Sequence, residues 1–256
     1  IRLIGLPAAK SDLLVLYRSP QEAISSVPKI LSKGLIPTSI EFMDRRSVET
    51  SCTYLNENLP YAQCGAMLLI EMDGRDQSLV ESEAEAVGDL CMEQGAIEVY
   101  VADNRTTQER LWAIRRNIAE ALKVYCPVQS LEDIVVPPTA ISAVMPELER
   151  IALQFGIAIP CYGHAGDGNL HATLVKDPQM PMEQWQQIEQ QALLALYESI
   201  TALGGKISGE HGIGLKRKHF MRKFMSPVEL NLIKAIKRAW DPNLIMNPGK
   251  IFDIED

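Results

Sequence analysis

Strand signals and helix signals alternate along the first half of the chain, and that order constrains the fold more than any other feature. Residues 13–17, Leu-Leu-Val-Leu-Tyr, form a short apolar run with strand character. Ser19 and Pro20 follow at once as a helix start, a Ser cap and then Pro, whose fixed φ suits the first helical position. Ala23, Ile24, Val27, Ile30 and Leu31 then recur at helical spacing, and Gly34 closes the helix. Residues 38–43 and 66–72 read as further strands, 81–94 as a helix closed by Gly95, and 96–101 as a fourth strand. Strands joined through helices by short loops predict an α+β fold, a ferredoxin-like antiparallel sheet with flanking helices.

The second half continues the pattern. The periodicity predicts helices over 106–124, 140–155, 182–203 and 227–240, and strands at 132–136, 157–164 and 169–175. Pro137 and Pro138 stop the first of these strands, and an extended tail over 243–252 follows the last helix. No linker-like segment and no sequence repeat interrupts the chain, so residues 1–256 read as one domain. The chain opens without Met, which is the expectation for a fragment or a processed product. No apolar run approaches the roughly 20 residues that a membrane helix needs. A net charge of -8 argues against a nucleic-acid partner. The basic run at 216–223 reads either as a solvated helix face or as a docking surface. Five widely spaced cysteines without a C-x-x-C fit a reducing compartment, and exclude a ferredoxin-type iron–sulfur cluster within this chain.

Two glycine-rich stretches concentrate the chemistry: residues 161–171, Cys-Tyr-Gly-His-Ala-Gly-Asp-Gly-Asn-Leu-His, and 208–214, Ser-Gly-Glu-His-Gly-Ile-Gly. If the strands flanking Ala165 to Gly168 form a hairpin, His164 faces Asn169. Residues two apart on a strand share a face, so His164, Asn169 and His171 should project together. Two imidazoles on one face can hold a divalent metal, and Glu210 is the natural third ligand. Such a set leaves coordination positions open, the catalytic rather than the structural pattern. Glu210 and His211, adjacent in extended chain, are expected to point apart, which casts His211 as a general base beside the metal. Each histidine also has a structural reading, as a satisfied core or loop residue. Asp167 reads as a turn residue and His219 as a surface one. The glycine spacing matches neither the dinucleotide fingerprint nor a Walker motif.

Five motifs occur in order: Trp112-Ala-Ile-Arg115, Glu132-Asp-Ile-Val-Val-Pro137, Gly163-His-Ala-Gly-Asp-Gly-Asn-Leu-His171, Gly209-Glu-His-Gly-Ile-Gly214, and Asp241-Pro followed by Asn247-Pro-Gly-Lys250. Together they resemble the C-terminal domain of the FAD-linked oxidases, the family of the glycolate oxidase flavoprotein subunit, D-lactate dehydrogenase and D-2-hydroxyglutarate dehydrogenase. The resemblance runs from about residue 13 to 251. It implies oxidation of a D-2-hydroxy acid to the 2-oxo acid, with hydride passing to FAD. It implies a divalent metal, zinc, on His164, His171 and Glu210, with His211 taking the hydroxyl proton. Arg115 would grip the substrate carboxylate, Asn169 would hydrogen-bond the substrate, and Asn247 would approach the flavin.

In that family an FAD-binding domain precedes this region. The expectation is therefore a substrate- and metal-binding domain, inactive alone, whose FAD-binding domain stands in cis or in a separate subunit. The resemblance also implies an iron–sulfur electron-transfer subunit, a homodimer, and a cytoplasmic location peripheral to the inner membrane through partners. D-2-hydroxyglutarate dehydrogenases carry Thr four positions after the helix arginine and Lys in the stretch that follows. Here Ala119 takes that place, and no basic residue lies between Lys123 and Arg150, which leans towards glycolate or lactate. The alternatives are a non-catalytic assembly or regulatory domain that docks to an FAD-binding subunit, and a stand-alone metal hydrolase.

Overall fold

Seven strands and eight α-helices follow one another along the chain in a computed structural model that describes residues 5–102 and 104–254. The first unit runs β1 (Ala9–Tyr17), α1 (Pro20–Ser32), β2 (Ser39–Asp44), α2 (Arg45–Leu55), β3 (Ala66–Gly74), α3 (Gln77–Glu93), β4 (Glu98–Ala102) and α4 (Arg105–Tyr125). The second runs β5 (Gln129–Val135), α5 (Val144–Phe155), β6 (Cys161–His164), β7 (Asn169–Val175) and α6 (Met182–Ala202), then α7 (Met221–Phe224) and α8 (Pro227–Trp240).

All strands join one seven-stranded antiparallel sheet of order β4-β1-β3-β2-β6-β7-β5. The first four strands have the 4-1-3-2 order of a ferredoxin-like unit. The second unit repeats it: β7 lies between β6 and β5, and a bridge from Lys206 to Val135 stands where its fourth strand would pair. The units meet edge to edge through β2 and β6. The sequence shows no clear repeat that announces this duplication.

The expected caps form. Ser19 accepts from the Glu22 backbone while Glu22 reaches back to the Ser19 N–H, closing a capping box on α1. α2, by contrast, has no counterpart in the sequence reading. Asp44 caps it, and Val48 and Cys52 are buried at a spacing of four, but its remaining buried contacts are serines that weaken the apolar signal. Ser51 Oγ donates to the Ile114 carbonyl at 2.6 Å, tying α2 to α4.

One face of the sheet packs against α1, α3, α5 and α6 in the larger core, which includes Val15, Phe42, Ile70, Leu170 and Leu174. On the opposite face Leu14, Leu16, Met43, Met67 and Leu69 pack under α2 and α4. In the second unit this opposite face carries polar side chains. The hairpin that presents them needs Gly168, whose φ is +84° and whose missing Cβ would lie 2.0 Å from the Val136 carbonyl oxygen.

The basic run folds into a turn and α7, and most of it is engaged internally. Lys216 and Arg217 bind Glu132, Lys218 binds Asp253, and Lys223 binds Glu198. Among the described residues no helix is long and apolar enough to cross a membrane.

Candidate active site

Two neighbouring rungs of the sheet build the site. In one, Glu41 of β2 pairs with His164 of β6, which pairs with Asn169 of β7. In the next, Met43 pairs with Tyr162, Tyr162 with His171, and His171 with Asp133 of β5. Because a strand repeats every two residues, Glu41, Tyr162, His164, Asn169, His171 and Asp133 all stand on one face. The predicted hairpin register, His164 opposite Asn169, is the one observed.

The second glycine-rich stretch folds over this face. Asp133 Oδ2 accepts from Ser208 Oγ at 3.0 Å and from the backbone N–H groups of Gly209, Glu210 and His211 at 2.9, 2.9 and 2.8 Å. The loop is therefore curled rather than extended, and Glu210 and His211 do not diverge as extended chain would require. His211 Nε2 lies 3.4 Å from Glu210 Oε1, His171 Nε2 3.5 Å, and His164 Nε2 4.0 Å. Three imidazole nitrogens thus converge on one carboxylate oxygen. Asp133, His171, Glu210 and His211 also offer ligand atoms that all lie within 4.8 Å of one another.

Buried groups orient this cluster. His164 Nδ1 donates to Glu41 Oε1 at 2.7 Å, which turns Nε2 towards Glu210. That hydrogen bond raises the His164 pKa from its ordinary value. Arg115 closes the other side of Glu41, with Nε donating to Oε2 at 2.8 Å and Nη2 2.7 Å from the same oxygen. Burial works against the Glu41 charge, yet His164 and Arg115 together hold the carboxyl below its ordinary value. The Arg115 guanidinium also stacks 5.1 Å from the centre of the Tyr162 ring. Asp133 behaves likewise: burial opposes its charge, but Asn169 and the loop N–H groups hold it at about 2.

His171 goes the other way. Burial, with the Arg115 cation adding to it, pushes it from 6.5 down to about 4, so its imidazole is neutral at pH 7 and suited to ligation. The unfolded chain takes up this proton as pH falls through 6.5, whereas the folded chain refuses it until about 4. Acidification across that window should therefore remove about 3 kcal/mol of stability from metal-free protein. His164 has the opposite sign: its contribution is present below the unfolded pKa and lost as pH rises through the folded one. Denaturant melts of chelator-treated wild type and His171→Gln, compared between pH 4 and 7, isolate the His171 part. Parallel pH profiles for the two proteins would refute it.

Of the residues singled out from sequence, His164, His171, Glu210 and His211 come together, with Asn169 and Arg115 in contact with groups that hold them. Asn247 does not join the cluster. It sits in the C-terminal tail at φ 47°, lining a cavity with Lys237, Leu244 and Phe252. Sequence reasoning missed Glu41 and Asp133. The available signal was a carboxylate on the alternating face of an otherwise apolar strand, at Glu41 between Ile40 and Phe42 and at Asp133 beside Ile134.

The paired ferredoxin-like sheet has counterparts among solved structures. The structure of p-cresol methylhydroxylase with substrate bound superposes with a TM-score of 0.71 at 14% identity, covering 99% of this chain and 55% of that one, which establishes likeness of fold. The family model described as FAD linked oxidases, C-terminal domain, matches residues 6–251. The chain belongs to that family. It is 33% identical over 252 residues to the glycolate oxidase subunit GlcD of Bacillus subtilis, covering 98% of this chain and 53% of the relative. It is 30% identical over 258 residues to a D-lactate dehydrogenase of Anaerostipes hadrus, covering 98% and 54%. The chain spans about half the length of these curated relatives.

Proposed function

We propose that this chain is the substrate- and metal-binding half of a flavin-dependent dehydrogenase that oxidises a D-2-hydroxy acid, of glycolate or D-lactate type, to the 2-oxo acid. The observation that carries this reading is the convergence of three imidazole Nε2 atoms on Glu210 Oε1, with Glu41 fixing one tautomer and burial keeping His171 neutral. Two imidazoles and a carboxylate fit a zinc-type ion, so His164, His171 and Glu210 would hold it, with the ion displacing any proton on His164. Such a metal would supply Lewis acidity towards the substrate hydroxyl and carboxylate, and FAD would supply the hydride acceptor.

The chain's own residues have defined tasks on this reading. His211 is half exposed and stands beside Glu210, so its Nε2 accepts the hydroxyl proton and releases it to solvent. Arg115 presents a fixed cation beside His164, anchored through Glu41, to attract the substrate carboxylate. Asn169 acts as an acceptor. Its Nδ2 already donates to Asp133 Oδ1 and to the Ile134 carbonyl, while its Oδ1 is buried with no partner among the described residues. A substrate hydroxyl is the donor that would satisfy it. Ala119 packs against the α2–α4 core and offers no polar group, in keeping with a small monocarboxylate.

The flavin would come from an FAD-binding domain, in cis or as a subunit, and Asn247 would lie near it. The exposed stripe Val228, Leu232, Ile236 and Trp240 along α8, continued by Ile245 and Met246, supports such a partner for this end of the chain. The test is to assemble the chain with its flavin-binding half and follow dye-linked oxidation of D-lactate and glycolate. Turnover of one of them should disappear on chelation and return with zinc or manganese. Flavin-loaded protein that oxidises neither acid would overturn the reading.

A further inference from the structure

Asp133 bridges the two glycine-rich stretches. Its Oδ1 accepts from Asn169 Nδ2 at 2.7 Å, and its Oδ2 accepts from the Ser208 hydroxyl and from three successive backbone N–H groups, Gly209 to His211. Three consecutive N–H groups aimed at one oxygen make an anion-binding curl of backbone, here filled by a carboxylate of the same chain. The fit is tight. A Cβ on Gly209 would lie 2.0 Å from Asn169 Nδ2 and 2.9 Å from Asp133 Oδ1, so only glycine lets the loop settle this closely.

We propose that Asp133 is a positioning residue: it assembles the site by anchoring the backbone that carries Glu210 and His211, and is not itself a ligand. This inference rests on the reading of His164, His171 and Glu210 as the metal-holding set. An ion taking Oδ2 would have to displace four donors, whereas an ion on Glu210 and the histidines leaves the anchor intact. The side chain of Glu210 is about half exposed and forms only the three histidine contacts of 3.4 to 4.0 Å among the described residues. Without a fixed backbone its carboxylate would lose the entropy of ordering on every binding event. Asp133 therefore pre-organises the site before any partner or cofactor arrives, and sets the orientation of Asn169 at the same time.

The experiment uses the 256-residue chain and two readouts. Amide spectra should show the N–H groups of 209–211 shifted downfield and slow to exchange in wild type. In Asp133→Asn these signals should lose both features, while sheet amides keep theirs. Zinc affinity, measured by competition with a chromophoric chelator, should fall about 10–100-fold in the same variant. A fall in affinity with loop amides unchanged would make Asp133 a ligand and overturn the inference. Altered amides with unchanged affinity would also overturn it, because the anchor would then not control the metal-holding groups. If Asp133→Asn does not fold, Gly209→Ala lifts the loop with the carboxylate in place, and the same paired losses are expected. A wild-type chain that binds no zinc sinks the reading of the metal set, and the amide readout then decides the anchoring by itself.

Discussion

His164→Ala should abolish zinc binding while the chain melts close to the wild-type temperature. The side chain contributes little to the core: it is 42% exposed, and its polar contacts are to Glu41 and Glu210. Removing it does not strand Glu41, because Arg115 continues to neutralise that buried carboxylate. The expected stability change is therefore within about 1–2 kcal/mol. The metal effect should be much larger. On the proposed ligand set the variant loses one of three protein contacts to the ion, and the fall should exceed the roughly 10–100-fold typical of a lost supporting partner. Elemental analysis after metal-free dialysis, beside a thermal melt, checks both halves. Full metal occupancy in the variant would remove His164 from the ligand set.

The largest loss of stability should come from a residue of β5, on the face opposite Asp133. Glu132 precedes Asp133 in β5, and the pleat sends the two carboxylates to opposite sides. Glu132 is fully buried and accepts from Ser130 Oγ at 2.9 Å, Lys216 Nζ at 2.5 Å and Arg217 Nε at 2.9 Å, as well as from the Tyr197 hydroxyl. Burial opposes its charge, but Lys216 and Arg217 hold the carboxyl below its ordinary value. Glu132→Ala leaves the buried Arg217 guanidinium without its counter-ion, and breaking such a pair costs about 3–5 kcal/mol. For a chain of this size that corresponds to a melting temperature lower by roughly 6–20 °C. A shift of a degree or two would mean that Lys216 and Arg217 find other partners. The same network pins the start of the basic run to β5, close to where the 208–211 loop docks, so the variant should also weaken zinc binding more than its distance from the cluster suggests.

Both results concern residues whose roles differ in how far sequence reveals them. The alternation of His164, Asn169 and His171 around a tight Gly-containing turn was enough to put three candidate site side chains on one face. Chain geometry alone enforces that, since a strand repeats every two residues whatever surrounds it. The same local rules placed the caps of α1, the glycine at the end of α5 and the strand–helix order of the first unit. They passed over α2, whose buried serines carry no hydrophobic period.

Tertiary structure decided which strands became neighbours. Glu41 meets His164 across 123 residues and Asp133 meets the His211 backbone across 78, distances over which no periodicity carries information. The edge-to-edge joining of two ferredoxin-like units through β2 and β6 brings Glu41 and Arg115 to the cluster, and that choice follows from packing both units against one shared layer of helices. The folding of the 208–211 loop onto Asp133 brings Glu210 and His211 to the same point, which adjacent residues in extended chain would not reach. Residue types and faces are local properties that the amino-acid sequence determines through backbone geometry. The depressed pKa of His171, the charged state of buried Glu41 and the convergence of three imidazoles on one carboxylate are properties of a field made by distant neighbours, and only the packed chain creates that field.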